Sequence, residues 1–254
     1  MQKINLQDVT FLMTIRIDSM VRLENIMIVV NNILTNFDTS IILLHADNYD
    51  NGILKKMLSC SSIQYIFKED HDNVFHRTKY INETVRLATT PYVAVWDADV
   101  IVPKNQIIQA VQKLRDGYDA AYPFKHFLDT SSIVRELYLK TRDINTLQEN
   151  CDKMKMIYGP NVKGGAFIIN KNAYQRSGLE NELFYGWGIE DGDRYVRWTE
   201  LDYNVYIGEG YLFHLTHGRG INSEFRNYNQ NKFFRKMYNI TKSSSKDEIM
   251  TRIK

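Results

Sequence analysis

No glycine precedes Gly52 in this chain of 254 residues. The first strand-to-helix turn therefore carries neither a GxGxxG fingerprint nor a phosphate loop, which excludes a dinucleotide dehydrogenase and a P-loop NTPase. Cysteine is nearly absent. Cys60 and Cys151 form no CxxC or other metal spacing and read as two small core residues with free thiols in a reducing compartment. Four prolines, and no low-complexity tract or internal repeat, leave no linker, so one domain with a C-terminal appendage is expected. Long apolar runs are missing as well: the earliest, Val9-Thr10-Phe11-Leu12-Met13, is cut off by Arg16 and Asp18 and is too short for a signal segment or a membrane span. The net charge is only +2, but residues 219–254 hold nine Lys/Arg against three Asp/Glu, leaving 23 against 27 in residues 1–218. With 44% hydrophobic and 24% charged residues, the composition is that of a soluble globular chain able to bury a sizeable core.

What is present begins with alternation. Residues 8–17 and 40–46 are short apolar runs with the pattern of buried parallel strands, and Met20 to Leu34 between them has apolar residues at helical spacing, which makes a βαβ unit. Ile63 to Phe67 adds a strand, Arg77 to Leu87 a helix, and Pro91 to Trp96 a central strand running into Asp97-Ala98-Asp99. The prediction is an α/β fold with a doubly wound sheet flanked by helices, in which ligands sit at the carboxyl ends of the strands.

Eleven of the thirteen glycines fall between Gly159 and Gly220, so closely approached backbone is concentrated in the second half. There Gly164-Gly165 precedes an apolar strand, Ala166 to Ile169, and Tyr185-Gly186-Trp187-Gly188-Ile189-Glu190-Asp191-Gly192-Asp193 combines three glycines, one indole and three carboxylates. That is the composition of a site; the plainer alternative is a turn that starts a solvated acidic helix. Asp97 and Asp99, one residue apart at a strand end between Trp96 and Val100, suit a divalent cation and the polar groups of its ligand, against the alternative of a solvated strand end. His214-Leu215-Thr216-His217-Gly218 follows the strand Tyr211 to Phe213. Histidines three apart converge in a turn, where an imidazole completes the coordination of a cation held by Asp99 and favours manganese over calcium. Taken alone, either histidine is more often a satisfied structural residue than a ligand.

Four blocks, in order, resemble those of the β-1,4-galactosyltransferase family and related bacterial chondroitin-type transferases. Phe75-His76-Arg77-Thr78-Lys79 is similar to that family's FNRAK, Asp97-Ala98-Asp99 to its DVD, Gly164-Gly165 to its GG, and Gly186-Trp187-Gly188-Ile189-Glu190-Asp191 to its GWGGED. The resemblance spans roughly residues 75–217 and implies the GT-A fold, a Rossmann-like mixed sheet flanked by helices. It implies an inverting hexosyltransferase that uses a UDP-sugar donor, a manganese or magnesium ion and a glycan acceptor. Asp99, His217 and His214 would be metal ligands, with His214 where the family has a methionine. Asp97 would lie near the ribose and donor sugar, Phe75 and Arg77 near the uracil, and Trp187 against the diphosphate and sugars. Glu190 and Asp191 would hold the acceptor, with Asp191 as the base. The first strand resembles the family's PFRNR block only through Arg16, since Asp18 stands where a second arginine is expected. Val162, two residues before Gly164, replaces the tyrosine of galactose-specific members and leaves room for an N-acetyl group, so UDP-GalNAc is favoured as much as UDP-Gal.

On this reading residues 1–103 are a nucleotide-binding half, 104–218 a donor and acceptor half, and 219–254 a helical basic tail. His126 to Tyr158, with helical spacing and mixed polarity, is a lid, an acceptor-side insertion or a solvated helical excursion. In the tail, Phe233-Phe234-Arg235-Lys236-Met237-Tyr238 interleaves basic and aromatic residues, and Ser245 with Glu248 suits a capping box. Such a stretch either rests on an anionic membrane surface, as a lipid-linked acceptor would favour, or packs on the body with its charges solvated. No nucleic-acid module accompanies it. The expectation is a cytoplasmic enzyme of surface polysaccharide synthesis, peripheral to the membrane at most. The competing readings are a glycan-binding or scaffold protein on the same fold and a sugar nucleotidyltransferase, which would want a Gly-rich basic loop after the first strand.

Overall fold

Strand β1 (Ile4–Ile15) buries Val9, Phe11, Leu12, Met13 and Ile15, a run with no solvent face that only a central strand covered on both sides can use. The structure is a computed structural model and describes residues 2–159, 162–220 and 222–253. After β1, Ser19 caps α1 (Met20–Asn36) by accepting the Arg22 N–H at 3.3 Å, and α1 returns the chain to β2 (Phe37–Asp47). Then come α2 (Ile53–Met57), β3 (Ile63–Glu69), α3 (Arg77–Leu87), β4 (Tyr92–Trp96), β5 (Val100–Ile101), α4 (Lys104–Arg115), β6 (Ala120–Tyr122) and β7 (His126–Asp129). They are followed by α5 (Ser132–Thr141), α6 (Ile144–Gln148), β8 (Lys155–Met156), β9 (Ala166–Asn170), α7 (Lys171–Arg176) and α8 (Glu190–Glu200). Finally come β10 (Val205–Ile207), β11 (Tyr211–His214), α9 (Tyr228–Ser243) and α10 (Lys246–Arg252).

The larger sheet has the order β10-β6-β9-β4-β1-β2-β3. Strands β3, β2, β1 and β4 run parallel, β9 lies antiparallel between β4 and β6, and β10 is parallel to β6. Because Leu12 faces Val95 across β1 and β4, the chain leaves both strands at the same edge, where Arg16 and the Asp97–Asp99 turn emerge. The helix predicted at Arg77–Leu87 has those bounds, and the predicted strands are all present, with β1 beginning earlier than expected.

The larger sheet is mixed, as the resemblance implies. Two expectations are corrected. A second sheet of order β5-β11-β7-β8 stands beside the larger one. Its β7 and β8 lie inside the segment 126–158, which is therefore no purely helical excursion; at four and two residues they are too short for a strand period to register. Cys60 is exposed rather than in the core, while Cys151 is half-buried.

The basic C-terminal segment packs on the body. Phe234 is buried with its ring centroid 5.0 Å from that of Phe184, Ile249 is buried, and the Thr241 hydroxyl donates to Asp193 Oδ1 at 2.6 Å. The capping box of Ser245 and Glu248 opens α10. Among the described residues no helix is long and apolar enough to cross a membrane. Phe234→Ala should cost about 3–5 kcal/mol of stability in urea unfolding, as expected for an emptied aromatic site in a shared core. A loss under about 1 kcal/mol would mean that α9 does not share that core.

Candidate active site

The Asp97–Asp99 turn is fixed by its own backbone. The Asp97 N–H donates to the Gly165 carbonyl at 2.8 Å, and the Leu215 N–H donates to the Asp99 carbonyl at 2.7 Å. The Leu215 carbonyl accepts from buried Asn25 Nδ2 at 2.8 Å, and Asn25 Oδ1 accepts from Arg135 Nε at 2.9 Å. Trp96 anchors the strand end, its Nε1 donating to the Val100 carbonyl at 3.2 Å and its ring lying edge-on to Phe11. Gly165 has φ +94, and a methyl there would lie 3.0 Å from Leu212 and 3.1 Å from Phe127, so this crossing of loops needs glycine.

These ties bring three side chains together. His217 Nε2 lies 3.1 Å and His214 Nε2 3.7 Å from Asp99 Oδ2, and one ligand atom from each of the three residues falls within 4.8 Å of the others. His214 Nδ1 is 2.7 Å from Asp129 Oδ1 and His217 Nδ1 is 2.8 Å from the Gly218 carbonyl. Both partners are acceptors and hold the proton on Nδ1, which orients each Nε2 toward Asp99 as the atom available to a cation there. Burial opposes the charge on Asp99, but His214, His217 and Arg22 outweigh it and hold the carboxyl well below its usual range. Burial likewise opposes the charge on His214, where Asp99 and Asp129 prevail and raise its pKa. One carboxylate and two oriented imidazoles fit a borderline divalent ion such as manganese.

The opposite wall is the start of α8. Ile189 precedes it at φ 71, a strained conformation for a β-branched residue, and the Gly188 N–H donates to Glu190 Oε2 at 2.9 Å. Glu190 is buried, and burial together with the charge of Asp191 pushes its carboxyl up to about 8. Asp191 is the open member of the pair, with 26% of its side chain exposed against 6% for Glu190. It is aimed by Arg194, a fully buried guanidinium that spans Asp191 Oδ1 at 2.8 Å, Glu180 Oε1 at 2.9 Å and the Lys163 carbonyl at 2.8 Å. A methyl on Gly164 would come 2.6 Å from Asp191 Oδ2, so the glycine pair clears the space this carboxylate occupies.

Between the walls lies a cavity of about 640 Å³. Its lining includes each residue singled out in the sequence: Arg16, Phe75, Arg77, Asp97, Asp99, Val162, Gly165, Trp187, Glu190, Asp191, His214 and His217. Two of them are engaged by partners within the chain. Arg16 is committed to Asp70 at 2.6 Å and to the Ala46 and Asp72 carbonyls, with its guanidinium 5.6 Å over the Phe75 ring, not to the Asp97–Asp99 turn. Arg77 donates to Asp97 Oδ1 at 2.6 Å and lies 3.7 Å from Glu190 and 3.9 Å from Asp191, which ties the two walls together. Burial raises the Asp97 carboxyl pKa against this pairing. Trp187 meets Phe225 edge-on at 5.3 Å.

Sequence reasoning missed Arg22, Arg194 and the segment 219–239. Arg22 Nη1 lies 3.7 Å from Asp99 Oδ2 and its Nη2 donates to Ser223 Oγ at 3.0 Å. Asn222 Oδ1 accepts the Phe75 N–H at 2.8 Å, and Phe225, Arg235, Tyr238 and Asn239 complete the cavity wall. Arg194 shares its buried helix face with Glu190, Asp193, Arg197 and Trp198, so no apolar stripe marked it in the sequence.

No protein-family model and no curated protein sequence matches this chain. Solved structures do share its fold. The catalytic domain of Drosophila β1,4-galactosyltransferase 7 in complex with xylobiose gives a TM-score of 0.54 at 15% identity, over 89% of this chain and 79% of that one. A variant of that enzyme in complex with manganese, UDP-Gal and xylobiose gives 0.55 at 14% over the same 89% and 79%. Glucosyl-3-phosphoglycerate synthase from Mycobacterium tuberculosis, in complex with Mn2+, UDP and glucosyl-3-phosphoglycerate, gives 0.53 at 12% over 92% and 79%. The architecture is the GT-A fold that the four sequence blocks led one to expect.

Two outcomes follow from this geometry. Manganese titrated calorimetrically should bind the parent chain and not Asp99→Ala; equal binding by both would dismiss the three-residue centre. Glu190 keeps its proton in the folded chain up to about 8 but loses it near 4.5 when unfolded, so the folded state holds the extra proton between those values. The stability it contributes is present below the lower value and lost as pH rises through the upper one. Glu190→Gln should therefore lose less stability than the parent between about pH 5 and pH 8, and parallel urea midpoints across that range would contradict the assignment.

Proposed function

We propose that this chain is a divalent-metal-dependent, inverting glycosyltransferase that moves a hexose or N-acetylhexosamine from a UDP-sugar to a glycan acceptor. The observation that carries this reading is that one cavity holds the Asp99, His214 and His217 cluster on one wall and the Glu190–Asp191 pair on the other. Bound there, a manganese or magnesium ion supplies charge neutralisation for a leaving diphosphate. Asp99, His214 and His217 would hold it, and Arg22, engaged by Asp18, Asp99 and Ser223, is the neighbouring cation that would turn to the same phosphates.

Phe75, under the Arg16 guanidinium, offers an apolar face for the uracil ring, and the Asn222 amide fixes the backbone of that face. Asp97, released from Arg77, suits the hydroxyls of ribose and donor sugar. Trp187 covers the sugar side and Val162 sets the room beside it, which favours UDP-GalNAc as much as UDP-Gal. On the far wall the division of labour follows from burial. Glu190 stays protonated and braces the Gly188 turn, while Asp191, open to the cavity and oriented by Arg194, takes the proton from the acceptor hydroxyl. Attack from that side, opposite the departing diphosphate, inverts the anomeric centre. A role in surface polysaccharide synthesis is part of the same proposal.

Asp191→Asn keeps the shape and hydrogen bonds of the wall but cannot accept a proton. Its turnover with UDP-Gal or UDP-GalNAc should fall by about a hundred- to ten-thousand-fold, with UDP affinity retained. Full turnover in that variant would remove Asp191 from the role.

A further inference from the structure

Leu179 has φ 58, a left-handed conformation that is strained for leucine, and Glu180 follows it into the interior with its side chain fully buried. This segment is pinned from two sides. From α8, Arg197 donates to the Ser177 and Leu179 carbonyls, each at 2.6 Å. From α3, Asn82 meets the Glu180 backbone at two points, accepting its N–H at 2.9 Å and donating to its carbonyl at 3.0 Å. The same helix opens with Arg77, so one element carries both the clamp on Glu180 and the guanidinium that lies 3.9 Å from Asp191.

The Glu180 carboxylate is satisfied at one oxygen only. Oε1 accepts from Arg194 Nη1 at 2.9 Å and from the Tyr174 hydroxyl, while Oε2 is buried with no hydrogen-bond partner among the described residues. Arg194 is buried as well, its guanidinium 4.0 Å over the Phe167 ring and 5.5 Å over that of Trp198. Burial opposes the charge of Arg194, and Glu180 leads the groups that raise its pKa in return. A buried pair of this kind adds little to stability, because apolar side chains of similar volume serve a core as well or better. Its remaining connection leads to the active cavity. Arg194 Nη2 donates to Asp191 Oδ1 at 2.8 Å, and Asp191 Oδ2, on the Gly164 side, has no hydrogen-bond partner among the described residues.

We infer that Glu180 is a positioning residue for the transfer: by holding Arg194 and cancelling its charge, it keeps Asp191 aimed with Oδ2 open to the acceptor hydroxyl. The inference rests on the transferase reading above and adds to it a residue that touches no substrate. With a neutral side chain in place of Glu180, Arg194 becomes an uncompensated buried cation whose other carboxylate partner is Asp191. It then draws both oxygens of Asp191 into a bidentate pair, and the oxygen that would take the proton is occupied.

The test compares the parent chain with Glu180→Gln, Asp191→Asn and the double variant. The assay is UDP release from UDP-Gal and UDP-GalNAc with manganese, water serving as the acceptor. Glu180→Gln should lower kcat by about tenfold to a hundredfold, as expected for a reacting group displaced by ~1 Å, with the donor KM and manganese-dependent UDP binding unchanged. In the Asp191→Asn background the same change should lower kcat no further, since its effect passes through Asp191. The apolar pair Glu180→Leu/Arg194→Met leaves no unpaired buried charge, so it folds even where Glu180→Gln does not, and it should show the same loss of kcat with the same dependence on Asp191. Full kcat in Glu180→Gln or in the apolar pair would overturn the proposal. So would an equal loss in both backgrounds, which marks an effect on the fold alone, or a raised donor KM in place of a lowered kcat. A parent chain that binds UDP but releases none from either donor would overturn it too. Absence of manganese-dependent UDP binding by the parent would instead contradict the transferase reading.

Discussion

Main-chain hydrogen bonds hold the Asp97–Asp99 turn from both sides, one from Asp97 to the loop that precedes β9 and one to Asp99 from the loop that follows β11. Side chains alone would leave this corner loose, because carboxylates and imidazoles near a cavity have competing partners. Backbone pairs do not swap in that way, and burial removes water as a rival. The glycine pair, the histidine turn and the end of β4 therefore move as one body. That constraint makes metal-ligand geometry available to three residues spread over more than a hundred positions of sequence. It also accounts for Asn25 and Arg135, a buried polar chain that holds the second of those loops.

The charges of the cavity form a second constraint. Five carboxylates line it, Asp18, Asp97, Asp99, Glu190 and Asp191, and such a density is tolerable only with partners. Each is met differently: Asp18 by Arg22, Asp97 by Arg77, Asp99 by two imidazoles and Arg22, Asp191 by Arg194, and Glu190 by keeping its proton. Arg77 and Arg22 are thus arranged so that an arriving anion or cation changes their partners rather than creating new charge. Helix α9, which holds no carboxylate, adds cations at the edge of the cavity, Arg235 lining it.

Much of this was legible before any coordinates. Buried parallel strands announce themselves by unbroken apolar runs, and acids set against Trp96 or among glycines at 185–193 are out of place unless they have a task. The histidine pair could be read as a ligand set because a turn residue, Gly218, follows it. What could not be read depends on packing across the chain. Arg22 and Arg194 look like ordinary helix arginines until the structure shows Arg22 half-buried beside Asp99 and Arg194 fully buried against Asp191. Arg16 and Arg77 keep their places in the cavity, but their directions are set by Asp70 and Asp97, which no local pattern announces. The strands β7 and β8 are too short to carry a period, and the tail looked like an appendage because its anchoring residues, Phe234, Thr241 and Ile249, are few and widely spaced.

The centre of the proposed function is a metal-held nucleotide-sugar site between the Asp97–Asp99 turn and the start of α8. Calorimetric binding of UDP, UDP-Gal, UDP-GalNAc and UDP-GlcNAc, each with manganese and again with chelator, tests it most directly, since no acceptor is needed. Manganese-dependent binding of UDP, with a preference among the three sugars, is the expected result. Binding that is indifferent to chelator, or no binding under any condition, would contradict the site and leave only the fold.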